Sequence, residues 1–186
     1  MVHHIVDMQA PFQFFYRGKG YLQELKKYGT LARATLCTAC DFTMIVLTLK
    51  FCLENEIRNA CDGGNRGEFA GFLDEWGTAA IQSFSKRYGI AWDYPVYDTD
   101  RCGIELLEVG LASNPPILFS RSQVSCRGGG LFANIHMRCY FLPIHGCDRY
   151  RELTLSWLDE RMKMADVFLR SGQSTVEFFE KRNRRR

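Results

Sequence analysis

The stretch ILFSRSQVSCRGGGLFANIHMRCYFLP, residues 117–143, decides the fold class. Two runs rich in Ile, Leu, Phe, Val and Tyr, 117–124 and 131–143, flank Ser125, Cys126, Arg127 and the glycines at 128–130. A Gly-rich connector between strand-like runs reads as a hairpin, with a loop longer than a two-residue turn. On both sides of it the apolar spacing is helical. The expected class is therefore α+β: a helical N-terminal half, a small antiparallel sheet built on the hairpin at about 117–143, and C-terminal helices.

Toward the N-terminus, Pro115 and Pro116 interrupt the chain, Ile104–Leu111 reads as a short helix and Ile90–Tyr97 as a short strand. A helix is expected from about Gly67 to Tyr88, with Phe69, Phe72, Leu73, Trp76, Ala80 and Phe84 as its stripe and Gly89 in the C-terminal cap position. Before it, Asp41 reads as the N-cap of a helix from Phe42 to about Asn59. Its stripe of Phe42, Ile45, Val46, Leu49, Cys52, Leu53 and Ile57 follows the i, i+3, i+4, i+7 rule, and the turn residues of 61–65 end it. Residues 21–40 are expected to be helical with a break at Gly29, placing Leu22, Leu25 and Tyr28 on one side. Residues 1–20 form an aromatic arm jointed at Gly18 and Gly20. Phe12, Phe14, Phe15 and Tyr16 are costly to leave in water, so the arm packs on the body or docks on a partner.

Toward the C-terminus, Asp148 is expected to cap a helix lined by Tyr150, Leu153, Trp157, Met164, Ala165 and Phe168, which Gly172 stops. Ser174 followed by Glu177 is a capping-box pattern and starts a last helix. The organisation read this way is an arm (1–20), one α+β domain (21–172), and a short helix with a basic tail (173–186).

The chain has 186 residues, of which 46% are apolar and 24% charged, values that suit one globular domain and exclude a chain disordered throughout. The most apolar segment, Phe42–Leu49, is closed by Asp41 and Lys50, far short of the ~18 apolar residues a bilayer helix needs, so an integral membrane protein is not expected. The first residues lack the basic flank and apolar stretch of a secretory signal. The eight cysteines are accordingly expected to be reduced thiols in an intracellular compartment, cytoplasm or organelle matrix, most of them acting as small buried hydrophobes.

Residue type and spacing bear on several chemistries. Cys37 and Cys40 have the C-x₂-C spacing of a zinc site, and His145 with Cys147 is the best second pair; the helical context of the first pair speaks against a zinc knuckle. Cys126, beside Arg127 and three glycines, is the candidate nucleophile, with His136 or His145 as its base. A cysteine-phosphatase loop fails, because the position six after Cys126 is Phe132 rather than Arg. Asp98, Asp100 and Gly103 imitate the opening of an EF-hand loop, but its twelfth position is Val109. Neither a phosphate-binding G-x-x-x-x-G-K-[ST] loop nor a G-x-G-x-x-G after a strand occurs. No cofactor is expected, zinc being the sole candidate.

The charge is concentrated at one end. Of 24 Lys+Arg, five (Lys181, Arg182, Arg184, Arg185 and Arg186) lie in the last six residues, leaving 19 against 21 Asp+Glu, so the rest carries −2. Such a cluster stays solvated unless an anionic partner takes it up: RNA or DNA phosphate, an anionic lipid surface or an acidic protein groove. The expected function is a non-catalytic structural or interaction subunit of a larger protein or ribonucleoprotein assembly. In it the arm docks on other protein subunits and the tail contacts RNA or another polyanion. The alternatives are a small-molecule or lipid-binding domain, with its pocket between the two central helices and the sheet, and a Cys-dependent or zinc-containing enzyme.

Overall fold

The computed structural model describes residues 6–17, 21–29, 31–62, 75–95 and 142–183. Its elements are α1 (Gln9–Arg17), α2 (Tyr21–Tyr28), α3 (Leu31–Glu54), β1 (Asn59–Cys61), α4 (Glu75–Lys86), β2 (Ala91–Asp93), α5 (Leu142–Leu169) and α6 (Thr175–Asn183). The α3 helix is the hub: α1, α2, α5 and β1 all pack on it.

Asp41 does not cap a helix. It lies inside α3, which runs unbroken from Leu31. Ala39, Phe42, Val46 and Leu49 are fully buried on a stripe that crosses position 41, and this burial outweighs the local preference of Asp for a cap. The same helix ends earlier than expected, at Glu54 instead of Asn59. Glu56 adopts a left-handed φ of 57° and the Ile57 N–H closes back onto the Cys52 carbonyl at 2.8 Å, which frees residues 59–61 to form a strand.

The described sheet is not antiparallel as expected. Its two strands are parallel, with Asn59 opposite Ala91, Ala60 opposite Trp92 and Cys61 opposite Asp93. The segment between them contains α4, and a parallel pair needs such a helical crossover, whereas a tight hairpin yields only antiparallel pairing. β2 falls within the strand expected over Ile90–Tyr97. The expected hairpin at 117–143 lies outside the described residues, except that Leu142 and Pro143 begin α5 instead of ending a strand. Proline is tolerated in a helix's first turn, where its missing N–H has no partner to lose.

The glycine readings hold at the helix ends. At Gly89 (φ +71°) the Gly89 N–H reaches the Lys86 carbonyl (3.0 Å) and the Ile90 N–H the Ser85 carbonyl (3.3 Å), the paired closure of a Schellman cap. α5 is kinked at Gly146 (φ 76°, ψ 167°), two residues before the expected start at Asp148. No described helix is long and apolar enough to cross a membrane.

The core is aromatic. Phe42 meets Phe15 (5.3 Å between ring centroids), Trp157 (6.2 Å) and Phe84 (6.4 Å), so α1, α5 and α4 converge on one ring of α3. Of the two placements expected for the arm, Phe14 and Phe15 take the first, being buried in the chain's own core. Phe12 and Tyr16 stack on each other (5.5 Å) and keep part of their surface exposed. The orientation of α2 also departs from expectation, since Leu22 is 72% exposed while Glu24, at 7%, and Tyr28 turn inward. What draws them in is a guanidinium.

Candidate functional site

Arg161, on α5, is 1% exposed. A buried cation is costly unless its charge and its donors are met. Its Nε donates to the Phe15 carbonyl at 2.5 Å. That carbonyl belongs to the last turn of α1, where acceptors lack intrahelical partners and where the helix dipole favours a positive charge. Nη2 stands 2.7 Å from Glu24 Oε2, an ion pair whose angle lies outside that of an aligned hydrogen bond. Nη1 is 3.6 Å from Glu160 Oε2, and the guanidinium lies 4.8 Å from the Trp157 ring centroid.

Glu160 links this buried group to the surface. Its Oε2 accepts from the Tyr28 hydroxyl at 3.0 Å, and its Oε1 pairs with Lys27. Partial burial works to raise the Glu160 pKa, but the hydrogen bonds from Lys27 and Tyr28, with the Arg161 charge behind them, hold it below the ordinary carboxylate value. The bond to Glu160 in turn pushes the Lys27 ammonium upward. This network joins α1, α2 and α5, and its central guanidinium is sealed from solvent. Its chemistry is structural.

A second polar group sits where α4 and α5 end. The Tyr88 hydroxyl donates to Asp166 Oδ1 (2.5 Å), to which Arg170 Nε also donates (2.9 Å). Burial first, and then the Asp166 carboxylate, push the Tyr88 hydroxyl up to about 12. The bond from Tyr88 holds Asp166 below its usual value. A phenol moved upward stays protonated at neutral pH and acts as a hydrogen-bond donor, tying the two helix ends together.

The tail begins from a fixed root. Ser174 and Glu177 form the expected capping box: the Ser174 N–H donates to Glu177 Oε2 (3.1 Å) and the Glu177 N–H to Ser174 Oγ (3.3 Å). One turn later Phe178 and Phe179 are buried against Phe168 (4.9 and 4.8 Å), and Phe14 of α1 meets both (6.1 and 5.3 Å). Lys181 and Arg182 continue α6, while Arg184, Arg185 and Arg186 lie outside the described residues.

The thiol candidates are scattered. Cys37 and Cys40 are one turn apart on α3, Cys40 being half-buried; His145 and Cys147 flank the Gly146 kink, with Cys147 exposed. Among the described residues no group of three or more His, Cys, Asp or Glu stands together to hold a metal, and the side chains of Cys37 and His145 are not among them. Cys126 lies outside the described residues. Cys40, Cys52, Cys61 and Cys147 form no disulfide, and burial raises the Cys52 thiol. Phe42 and Phe84, on the two central helices, lie 6.4 Å apart between ring centroids, while the sheet expected to complete a pocket there lies outside the described residues.

Sequence reasoning missed Arg161. Glu160, Arg161 and Lys163 sit together in a charged run that reads as a solvated face. The available signal was Trp157 four residues earlier, which places position 161 on the buried side of the helix. No protein family, curated protein or solved structure matches this chain.

Proposed function

We propose that this chain is a non-catalytic structural and interaction subunit of a larger protein or ribonucleoprotein assembly, and that its basic C-terminal tail contacts RNA. The observation that carries the reading is the root of that tail. α6 is capped at Ser174 and anchored through Phe178 and Phe179, so the helix that carries positions 181 and 182 is fixed to the body. Anchoring lowers the conformational cost of engaging an extended anion. Protein contacts fall to the surface that Phe12 and Tyr16 still present and to the outward-facing Leu22 and Leu25. Cys40, Cys52, Cys61 and Cys147, which form no disulfide, suit a reducing compartment.

Two measurements test this. Native mass spectrometry of the protein purified from its own cells reads the partners directly. Salt-titrated binding of a labelled single-stranded RNA compares the full chain with one truncated after Glu180. If all five tail cations meet phosphate, truncation lowers the slope of log K against log salt by about 3.5, at ~0.7 per contact. A lone chain indifferent to RNA would overturn the proposal.

A further inference from the structure

The two ends of the β1–α4–β2 unit carry opposite charge. Asp62 and Asp93 stand at the C-terminal ends of the strands, whereas cations gather at the N-terminal ends. Arg58 directly precedes β1, and Lys86 and Arg87 close α4 just before β2. The Arg58 carbonyl accepts the Ala91 N–H at 2.8 Å, which holds the two turns side by side.

Gly89 permits this assembly. A Cβ at that position would meet Arg58 Nη1 at 3.2 Å, so the absence of a side chain leaves room for the guanidinium over the turn. Arg87 stacks on Phe84 (4.5 Å), and Arg170 lies 6.0 Å from the Tyr88 ring centroid. Arg170 is engaged by Asp166, but Arg58, Lys86 and Arg87 are exposed and form no ion pair among the described residues. Glu56, on the loop before Arg58, is the nearest carboxylate in sequence, and Asp166, bonded by Tyr88 and Arg170, lies close enough in space to feel the Arg87 charge. The carbonyl end of α4 offsets part of the mutual repulsion, and an external anion would offset more.

We propose that this turn is a second phosphate-contacting surface, built from Arg58, Lys86 and Arg87, which takes the backbone of the same single-stranded RNA that the tail engages. The inference rests on the RNA reading above. Guanidinium forks match phosphate oxygens, and stacking on Phe84 fixes one of them in advance. A membrane surface fits less well, because Phe84 and Ile90 are buried and no large apolar side chain from 86 to 91 is exposed to enter lipid.

The test is anisotropy of a labelled uridine 20-mer with the full chain, from 0.1 to 0.5 M salt. Losing two contacts in Arg58→Gln/Arg87→Gln lowers the salt slope by about 1.4 and weakens binding about 25-fold at 0.1 M salt. Arg58→Lys/Arg87→Lys keeps the slope. If near-UV circular dichroism shows the double variant altered, Arg87→Gln alone carries the test at about half the slope change. An unchanged slope in the Gln variants, beside weakened binding on truncation after Glu180, overturns this surface and leaves the tail reading intact. Loss in the Gln variants with no effect of truncation keeps the surface and removes the tail. Capture of phosphatidylserine vesicles but not of RNA overturns both.

Discussion

On one side of α1, Phe14 and Phe15 meet the rings of Phe42, Phe178 and Phe179 at centroid separations of 5.3 to 6.1 Å, mostly edge to face. At its C-terminal turn, the Phe15 carbonyl is met by the single guanidinium of Arg161. Both arrangements hold the same nine-residue helix on the body. They differ in how the holding is distributed. The rings share a non-directional contact among many neighbours, and a swap of similar volume shifts the load to the others. The guanidinium serves a carbonyl, two carboxylates and an indole face at once, and nothing else nearby does so.

The largest effect should come from the ionic side. Arg161→Ala strands Glu24 in the interior, and breaking a buried pair this way costs about 3–5 kcal/mol in denaturant unfolding. Arg161→Lys keeps the charge but not the fork and should lose roughly 1.5–3 kcal/mol. Arg161→Met with Glu24→Leu should regain most of the loss, because the uncompensated charge goes too. If Arg161→Lys proves neutral, the contrast between the two sides of α1 fails.

A smaller effect concerns pH, at the Tyr88–Asp166 bond. With its folded pKa raised from 10.0 to about 12, Tyr88 stabilises the fold fully below pH 10, and that share is lost as pH rises through 12. Asp166, depressed below 3.8, acts the opposite way: its share is present above that value and is lost as pH falls through the folded pKa. Tyr88→Phe should flatten both limbs of the stability profile and remove the step near 12 from the phenolate absorbance titration, leaving only the upward shift that burial gives Tyr28. All eight tyrosines titrating together near 10 in the native chain would contradict this.

The smallest change belongs to the aromatic side, where Phe178→Leu should cost no more than about 1.5 kcal/mol. A loss matching that of Arg161→Ala would show that the rings are as irreplaceable as the guanidinium.

What could be read in advance follows the same division. Signals complete within a few residues were legible: the Ser174–Glu177 box, the glycine cap at Gly89, the breaks at Gly29 and Gly172, and the stripe from Phe42 to Cys52. The cap residue Asp41 was misleading because a stripe extending past it on both sides took over. The strand pairing was not legible, since it joins Cys61 to Asp93 across a helix and three-residue strands leave almost no pattern. Of the candidate site, the root of the tail was legible through its capping box. The inward turn of Glu24 was not, because it depends on an arginine far along the chain.

That separation has a consequence for synthesis. The carbonyl of Phe15 waits for a donor 146 residues further on, and the rings of Phe14 and Phe15 wait longer for Phe178 and Phe179. At ~5–20 residues per second, the Phe15 carbonyl stays without its donor for roughly 7 to 30 s on every nascent chain, although Phe42 follows soon enough to cover the Phe15 ring. Through that interval the Phe14 ring still lacks Phe178 and Phe179, which leaves an apolar surface open to non-native contacts.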